Sequence, residues 1–295
     1  MGRLGVAWER FWFEPEPAAG LGVVRALVYA GLLAIYSRTD LSSFGTLPAE
    51  FYAPVAPLRL LSLPVLAESH LRALHWLWLL SLALGSLGLF SRASAVAAFV
   101  VGAYLLGVED SFGRKDHRDM VVVLTLGILA ASHAGDAFSI DAWLRRRAGI
   151  GPPAPSPEYR WPAQAVRLTL AAAFFTAGVA KLRHSGLAWV ASDNLRDLLI
   201  EVSYIGFHTG HQPNLLFARS AFLCKMLAGA TLAIEVLYPL ALVSARARVV
   251  LVPASLALLV GFALILGPRF TTWAVLSVVW LPLDRLGSVG RGRAG

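Results

Sequence analysis

The sequence predicts an all-α, polytopic transmembrane helical bundle of about eight spans with interfacial helices. Three observations predict it. Hydrophobic residues make up 57% of the 295-residue chain and charged residues only 15%, and the mean hydropathy is +0.64, too apolar for a water-soluble globule. The apolar residues fall into successive runs on the scale of a bilayer crossing. The arginines punctuate those runs, as where cytoplasmic loops meet anionic lipid. A net charge of +8 raises the question of nucleic acid, but the chain has no long basic run and no interleaved basic-aromatic motif. The single cysteine, Cys224, excludes an intrachain disulfide and a CxxC redox or zinc site.

Along the chain, AWERFWF at 7 to 13 suits a short helix lying in the membrane interface, and EPEP breaks it. The start lacks the apolar core and cleavage site of a signal peptide, so the first span, 19 to 36, is expected to be retained. A loop from Arg38 to about His70 is too broken by Pro48, Pro54, Pro57 and Pro64 to cross. Spans follow at 71 to 89 and 93 to 109, joined by a link short enough to make them antiparallel neighbours. The polar stretch EDSFGRKDHRDM leads into a fourth, short span at 120 to 134. In GDAFSIDAWLRRR, Asp141 and Arg145 are four apart and set to pair on an interfacial helix, before PPAPSP makes an extended linker. The fifth span covers 163 to 182. A long polar loop runs from Arg183 to Ser220, followed by spans at 221 to 243, 249 to 267 and 270 to 283. Residues 1–18 thus form an N-terminal interfacial segment, 19–285 a transmembrane domain and 286–295 a basic tail.

With this span count, Arg92, the arginines at 145 to 147, Arg160, Arg246, Arg248 and those of the tail share a side with the N-terminus. Their density makes that side cytoplasmic. His117 and Lys181 then fall together at the opposite surface, with His70, His184, His208 and His211.

The stretch FFTAGVAKLRHSGLAW, 174 to 189, is the centre of interest. Helical spacing puts Lys181 on one face with Gly178, Ala177 and Phe174, where a second helix can approach closely. Two readings fit: a lysine whose stem lies along lipid while its ammonium reaches the headgroups, or a desolvated amine available as a base. His117 stands before the fourth span, either as a proton-transfer group or as an interfacial histidine bonded to Asp116 or a loop carbonyl. Glu235, set among apolar residues, is expected to face the bundle interior. It reads as a partner for Lys181 or proton relay, or as a neutral acid bonded to backbone or Thr231. His208 and His211 are three apart but have no third ligand in a recognised pattern, so no metal is expected. No Gly-rich phosphate loop, nucleophile elbow or DNA-binding motif is present.

These residues resemble a known family. KDHRDM with His117, HAGDAFSIDAWLRRR with Ser139, Asp141 and Leu144, and AGVAKL followed by a tryptophan (Gly178, Lys181, Leu182, Trp189) occur in order, with Glu235 after them. The set is similar to the HTTM family, the horizontally transferred transmembrane domains, which includes the membrane part of vitamin K-dependent gamma-carboxylase. The resemblance covers roughly residues 15 to 285. It implies an outward-facing pocket in which Lys181 is the base, His117 and Glu235 assist, and Trp189 and Phe174 contact a cofactor. That cofactor would be a reduced, vitamin K-like quinone. In the carboxylases the lysine deprotonates the reduced vitamin, reaction with oxygen yields a stronger base, and a substrate glutamate loses a proton and takes up carbon dioxide. The partners implied are the lipid bilayer, a quinone and a peptide or small-molecule substrate, without nucleic acid. Two other readings stand beside this one: a non-catalytic membrane partner or immunity-type protein, and a quinone-associated protein that resembles the DoxX-like bundles. The richness in Ala, Gly, Arg and Leu points to a GC-rich bacterial source and an inner-membrane location.

Overall fold

The computed structural model describes residues 2–113, 117–205, 213–267 and 270–283. Among these the regular structure is helical, with two isolated bridges, Glu16 to Ser156 and Tyr52 to Phe112. In chain order the α-helices are α1 (Arg3–Phe13), α2 (Ala18–Tyr36), α3 (Ala56–Leu60), α4 (Glu68–Leu87), α5 (Ser91–Glu109), α6 (His117–Ala131), α7 (Ile140–Arg147), α8 (Trp161–Ser185), α9 (Ala188–Ala191), α10 (Asn194–Ile205), α11 (Pro213–Ala218), α12 (Ala221–Leu237), α13 (Leu240–Val243), α14 (Ala245–Gly261) and α15 (Thr271–Leu276). Among the described residues, four apolar stretches are long enough to cross a membrane by length and composition: Ala18–Tyr36, Ser91–Glu109, Pro157–Ser185 and Ala245–Leu266. The other expected spans fall on α4, whose first turns carry Glu68 and Arg72, on the shorter α6 and α12, and on Thr271–Trp280. The chain divides into two compact units, residues 1–167 with 275–295, and residues 168–274.

In the first unit α4 packs against α2 and α5, and α5 against α6. Tyr29, Leu32, Trp78, Leu82, Leu105 and Leu126 are fully buried between them. Close approach of α2 and α4 depends on Gly85. A Cβ there would lie 2.5 and 2.7 Å from carbons of the Tyr29 ring, so the ring fills the place a side chain would take. Several buried polar groups find partners across helices, which offsets the cost of burial in an apolar medium. Trp78 donates to the Ala98 carbonyl at 2.9 Å. Arg25, 2% exposed, donates from Nη1 to the Gly85 carbonyl at 2.7 Å and from Nη2 to the Phe138 carbonyl at 2.6 Å. Helix α1 is held near its C-terminal end, where the Phe11 carbonyl accepts from Arg160 and Gln164.

One expectation changes here. Asp141 does not pair chiefly with Arg145. Its oxygens accept the backbone amides of Phe90 at 3.0 Å and Ser91 at 2.7 Å, capping the start of α5, where unpaired amides favour an anion. Arg145 instead bonds Asp136 at 3.1 Å. Burial alone would raise the Asp141 carboxyl, but the hydrogen bonds from Ser91 and Phe90 outweigh it and hold the group below the usual carboxylate range.

In the second unit the stretch from Arg183 to Ser220, expected as a loop, contains α9, α10 and α11. Leu195, Leu199 and Val202 recur at helical spacing on α10, and Leu199 is buried with Ala218 and Cys224. Asn214, fully buried, fastens α11 to α10 by donating to the Leu199 carbonyl at 2.7 Å and to Ser203 Oγ at 2.9 Å. The sixth expected span ends early, as α12 stops before Pro239 and restarts as α13. The seventh is α14 with Pro253 inside it, closing in a π-helical turn at Phe262–Leu266.

Candidate functional site

Lys181 lies in the last turns of α8 and Glu235 near the end of α12. The helices meet at Gly178, where a Cβ would stand 2.9 Å from Val236 Cγ2 and 3.0 Å from Glu235 Cβ. Lacking a side chain at that position, α8 lies directly on α12, one helical turn from Lys181. Lys181 Nζ donates to both carboxylate oxygens of Glu235, at 2.7 Å to Oε1 and 2.8 Å to Oε2. The lysine side chain is 20% exposed and the glutamate 4%, so the ammonium is turned toward the carboxylate rather than stretched out to headgroups. Of the two readings of Glu235, it is the pairing with Lys181 that has this geometry.

The third member is Trp189 on α9. Its ring centroid lies 5.4 Å from Lys181 Nζ, within cation–π range. The indole Nε1 is buried and finds no hydrogen-bond partner among the described residues. A buried N–H left unpaired costs free energy. Phe174 sits elsewhere, 2% exposed, with its ring 4.4 Å from that of Tyr238 and 5.1 Å from that of Trp273. The same unit holds an apolar cavity of about 330 Å³ between α10, α12 and α14, lined by Leu195, Leu199, Leu227, Thr231, Ile234 and Phe262 among others. Thr231 and Ile234 place it along α12 beside the turn that carries Glu235, which does not itself line it.

His117 opens α6 in the first unit, and its side chain lies outside the described set, as do Asp116, His208, His211 and the tail at 286–295. Next to His117 the structure contains an ionic cluster that the sequence reading passed over. Arg118 bonds Asp119 through Nε at 3.2 Å and Nη2 at 2.9 Å, and Glu109 at 3.3 Å. Asp119, 1% exposed, also accepts from the Tyr36 hydroxyl at 3.0 Å. The signal was present in an acidic residue opening an apolar run, the argument applied to Glu235. Among the described residues no group of three His, Cys, Asp or Glu is placed to hold a metal ion.

Compared with known proteins, residues 13–274 match the family model of the HTTM domain. No curated protein and no solved structure matches the chain.

Proposed function

We propose a function from one premise: the chain belongs to the HTTM-domain family. It is a membrane protein with long apolar helices. The reading is a quinol-dependent oxidoreductase or carboxylase-like enzyme in which the Lys181–Glu235 pair receives a proton. The carrying observation is the doubly bonded pair beside an unpartnered indole N–H. The groups that would answer the oxygens of a reduced quinone are the Trp189 N–H and the Lys181 ammonium; the 330 Å³ apolar cavity along α12 is lined by neither and is of a size for a small apolar group. When bound, such a quinol supplies the acidic hydroxyl and the reducing electrons.

The chain's own part is proton handling. In the ion pair the proton sits on Lys181, so the amine is not a base. Movement of that proton to Glu235 across the 2.7 Å bond leaves a neutral amine and a neutral acid. This exchange costs little in a medium that disfavours two separated charges. The neutral amine would then be able to accept a proton from a bound hydroxyl, and the restored ammonium with the Trp189 N–H would be the two donors facing that oxygen. Glu235 thus acts as the lysine's proton reservoir. His117 enters as a second proton-transfer group from its sequence motif.

The wider assignment is an integral protein of a bacterial inner membrane with eight crossings, both termini cytoplasmic, and a peptide or small molecule as acceptor. A second reading has its own support. Both glutamate oxygens are spent on Lys181 where α8 and α12 touch, which is what a non-catalytic helix clamp in a membrane partner protein would need. Quinol consumption by purified protein in nanodiscs, with oxygen and bicarbonate, separates the two. Turnover lost in His117→Ala and in Lys181→Ala, each variant still folded although Lys181→Ala unfolds earlier for want of its ion pair, is the expected result. Neither turnover nor quinol binding in wild type would leave the clamp.

A further inference from the structure

Away from that site, the first unit contains a polar cavity of about 170 Å³ where the ends of α4 and α6 meet the starts of α5 and α7. That is many times the space one water needs. Arg25 and Tyr29 line it from the buried side, at 2% and 0% exposure. Arg92, His133 and Arg145 line it where residues are half-buried or exposed.

The hydrogen-bond capacity left over in this cavity is one-sided. Its two carboxylates are spent: Asp141 on the amides of Phe90 and Ser91, and Asp136 on Arg145 and the Tyr159 hydroxyl. The donors are not. Arg25 Nε and the Tyr29 hydroxyl are buried with no partner among the described residues. Arg92 makes one long bond, 3.4 Å, to the Ser132 carbonyl. His133 stands 3.6 Å from Glu158. Arg145 is taken up by Asp136 and the Gly135 carbonyl, which leaves Arg25 and Arg92 as the guanidinium groups with donors to spare. Unpaired buried donors are costly in an apolar setting, and a cavity that leaves only donors unmatched is complementary to an anion.

We propose that this cavity binds a phosphate-class oxyanion, either the headgroup phosphate of an anionic lipid or free inorganic phosphate. Arg25 and Tyr29 donate from the floor and Arg92 from the rim. Water alone answers donors and acceptors equally, whereas an oxyanion brings only acceptors, matching what is missing. The site is separate from the Lys181–Glu235 pair, and the proposal stands whether or not that pair is catalytic.

The test uses the full chain and two variants, Tyr29→Phe and Arg92→Gln. Tyr29→Phe deletes only the unpartnered hydroxyl, and Arg92 is exposed, so neither is needed for folding. In phosphate-free detergent solution, the unfolding midpoint is followed against inorganic phosphate and against chloride at equal ionic strength. In nanodiscs, phosphatidylcholine alone is compared with phosphatidylcholine containing phosphatidylglycerol. Stabilisation by phosphate beyond chloride identifies the free ion, and stabilisation only by phosphatidylglycerol identifies the headgroup. In either case each variant weakens the response about tenfold or more, the size of a lost charge-assisted hydrogen bond. Wild type indifferent to both probes, or variants responding as wild type does, would overturn the proposal.

Discussion

Lys181 and Glu235 are charged residues that the sequence marks as out of place, each in an apolar run where a charge is expensive. That cost argument finds both residues, but it does not say that they meet, because their contact spans 54 positions and depends on how α8 lies on α12. The same argument applied to Arg25, within α2, would have marked it as a buried group in need of partners, without naming the two carbonyls. Spacing misleads at Asp141, where an i,i+4 arginine is outcompeted by the bare amides at the start of α5. Two predictions belong here. Glu235→Gln leaves the ammonium without its carboxylate and should cost about 3 kcal/mol in the unfolding equilibrium, while Lys181→Met with Glu235→Leu should recover most of it; reversible unfolding in detergent measures both. For Asp141, a carboxyl held below its unfolded value of about 3.9 contributes stability that is complete above that pH. The contribution is lost as pH falls through the depressed folded value. Asp141→Asn should therefore show a shallower loss of stability below about pH 4 than wild type.

At the level of elements, the long apolar helices α2, α5, α8 and α14 were legible within a few residues, because hydrophobic length alone specifies them. The segment between α8 and α12 was not. Its polar residues dominate a linear reading, while the three apolar positions of α10 that bury it are visible only at helical spacing. Breaks at Pro239 and the π-helical close of α14 needed the backbone itself. Gly178 is where one element's sequence governs another's position. Gly178→Leu should lower stability by about 2 kcal/mol through overpacking. By displacing α12 it should also weaken the Lys181–Glu235 bonds, so its effect and that of Glu235→Gln should fall short of additive. A double-mutant cycle on unfolding free energies reads this directly.

For the molecule as a whole, composition was decisive for class. An HTTM-domain membrane protein is what both the residue motifs and the family match indicate. Crossing number is harder to read because α4, α6 and α12 mix apolar length with polar starts or shortness. Cys224 is the only cysteine, so Cys224→Ala gives a thiol-free background for mapping. On the proposed topology, a cysteine introduced by Gly151→Cys should react with an impermeant maleimide only from the cytoplasmic side. One introduced by Glu50→Cys should react only from the opposite side. Labelling of both from one side would reduce the number of crossings between them to an even count.

Arg25 also imposes an order in time. Its carbonyl partners lie 60 and 113 residues downstream, so at about 5–20 residues per second the nascent first helix waits roughly 5–20 s for the second of them. Until then a guanidinium has to be sheltered by the insertion machinery or by lipid headgroups. Biogenesis is therefore non-local from its first span. Chains truncated after residue 131 should be cleared by quality-control proteolysis faster than chains truncated after residue 147, in which Phe138 has been made and α7 can form.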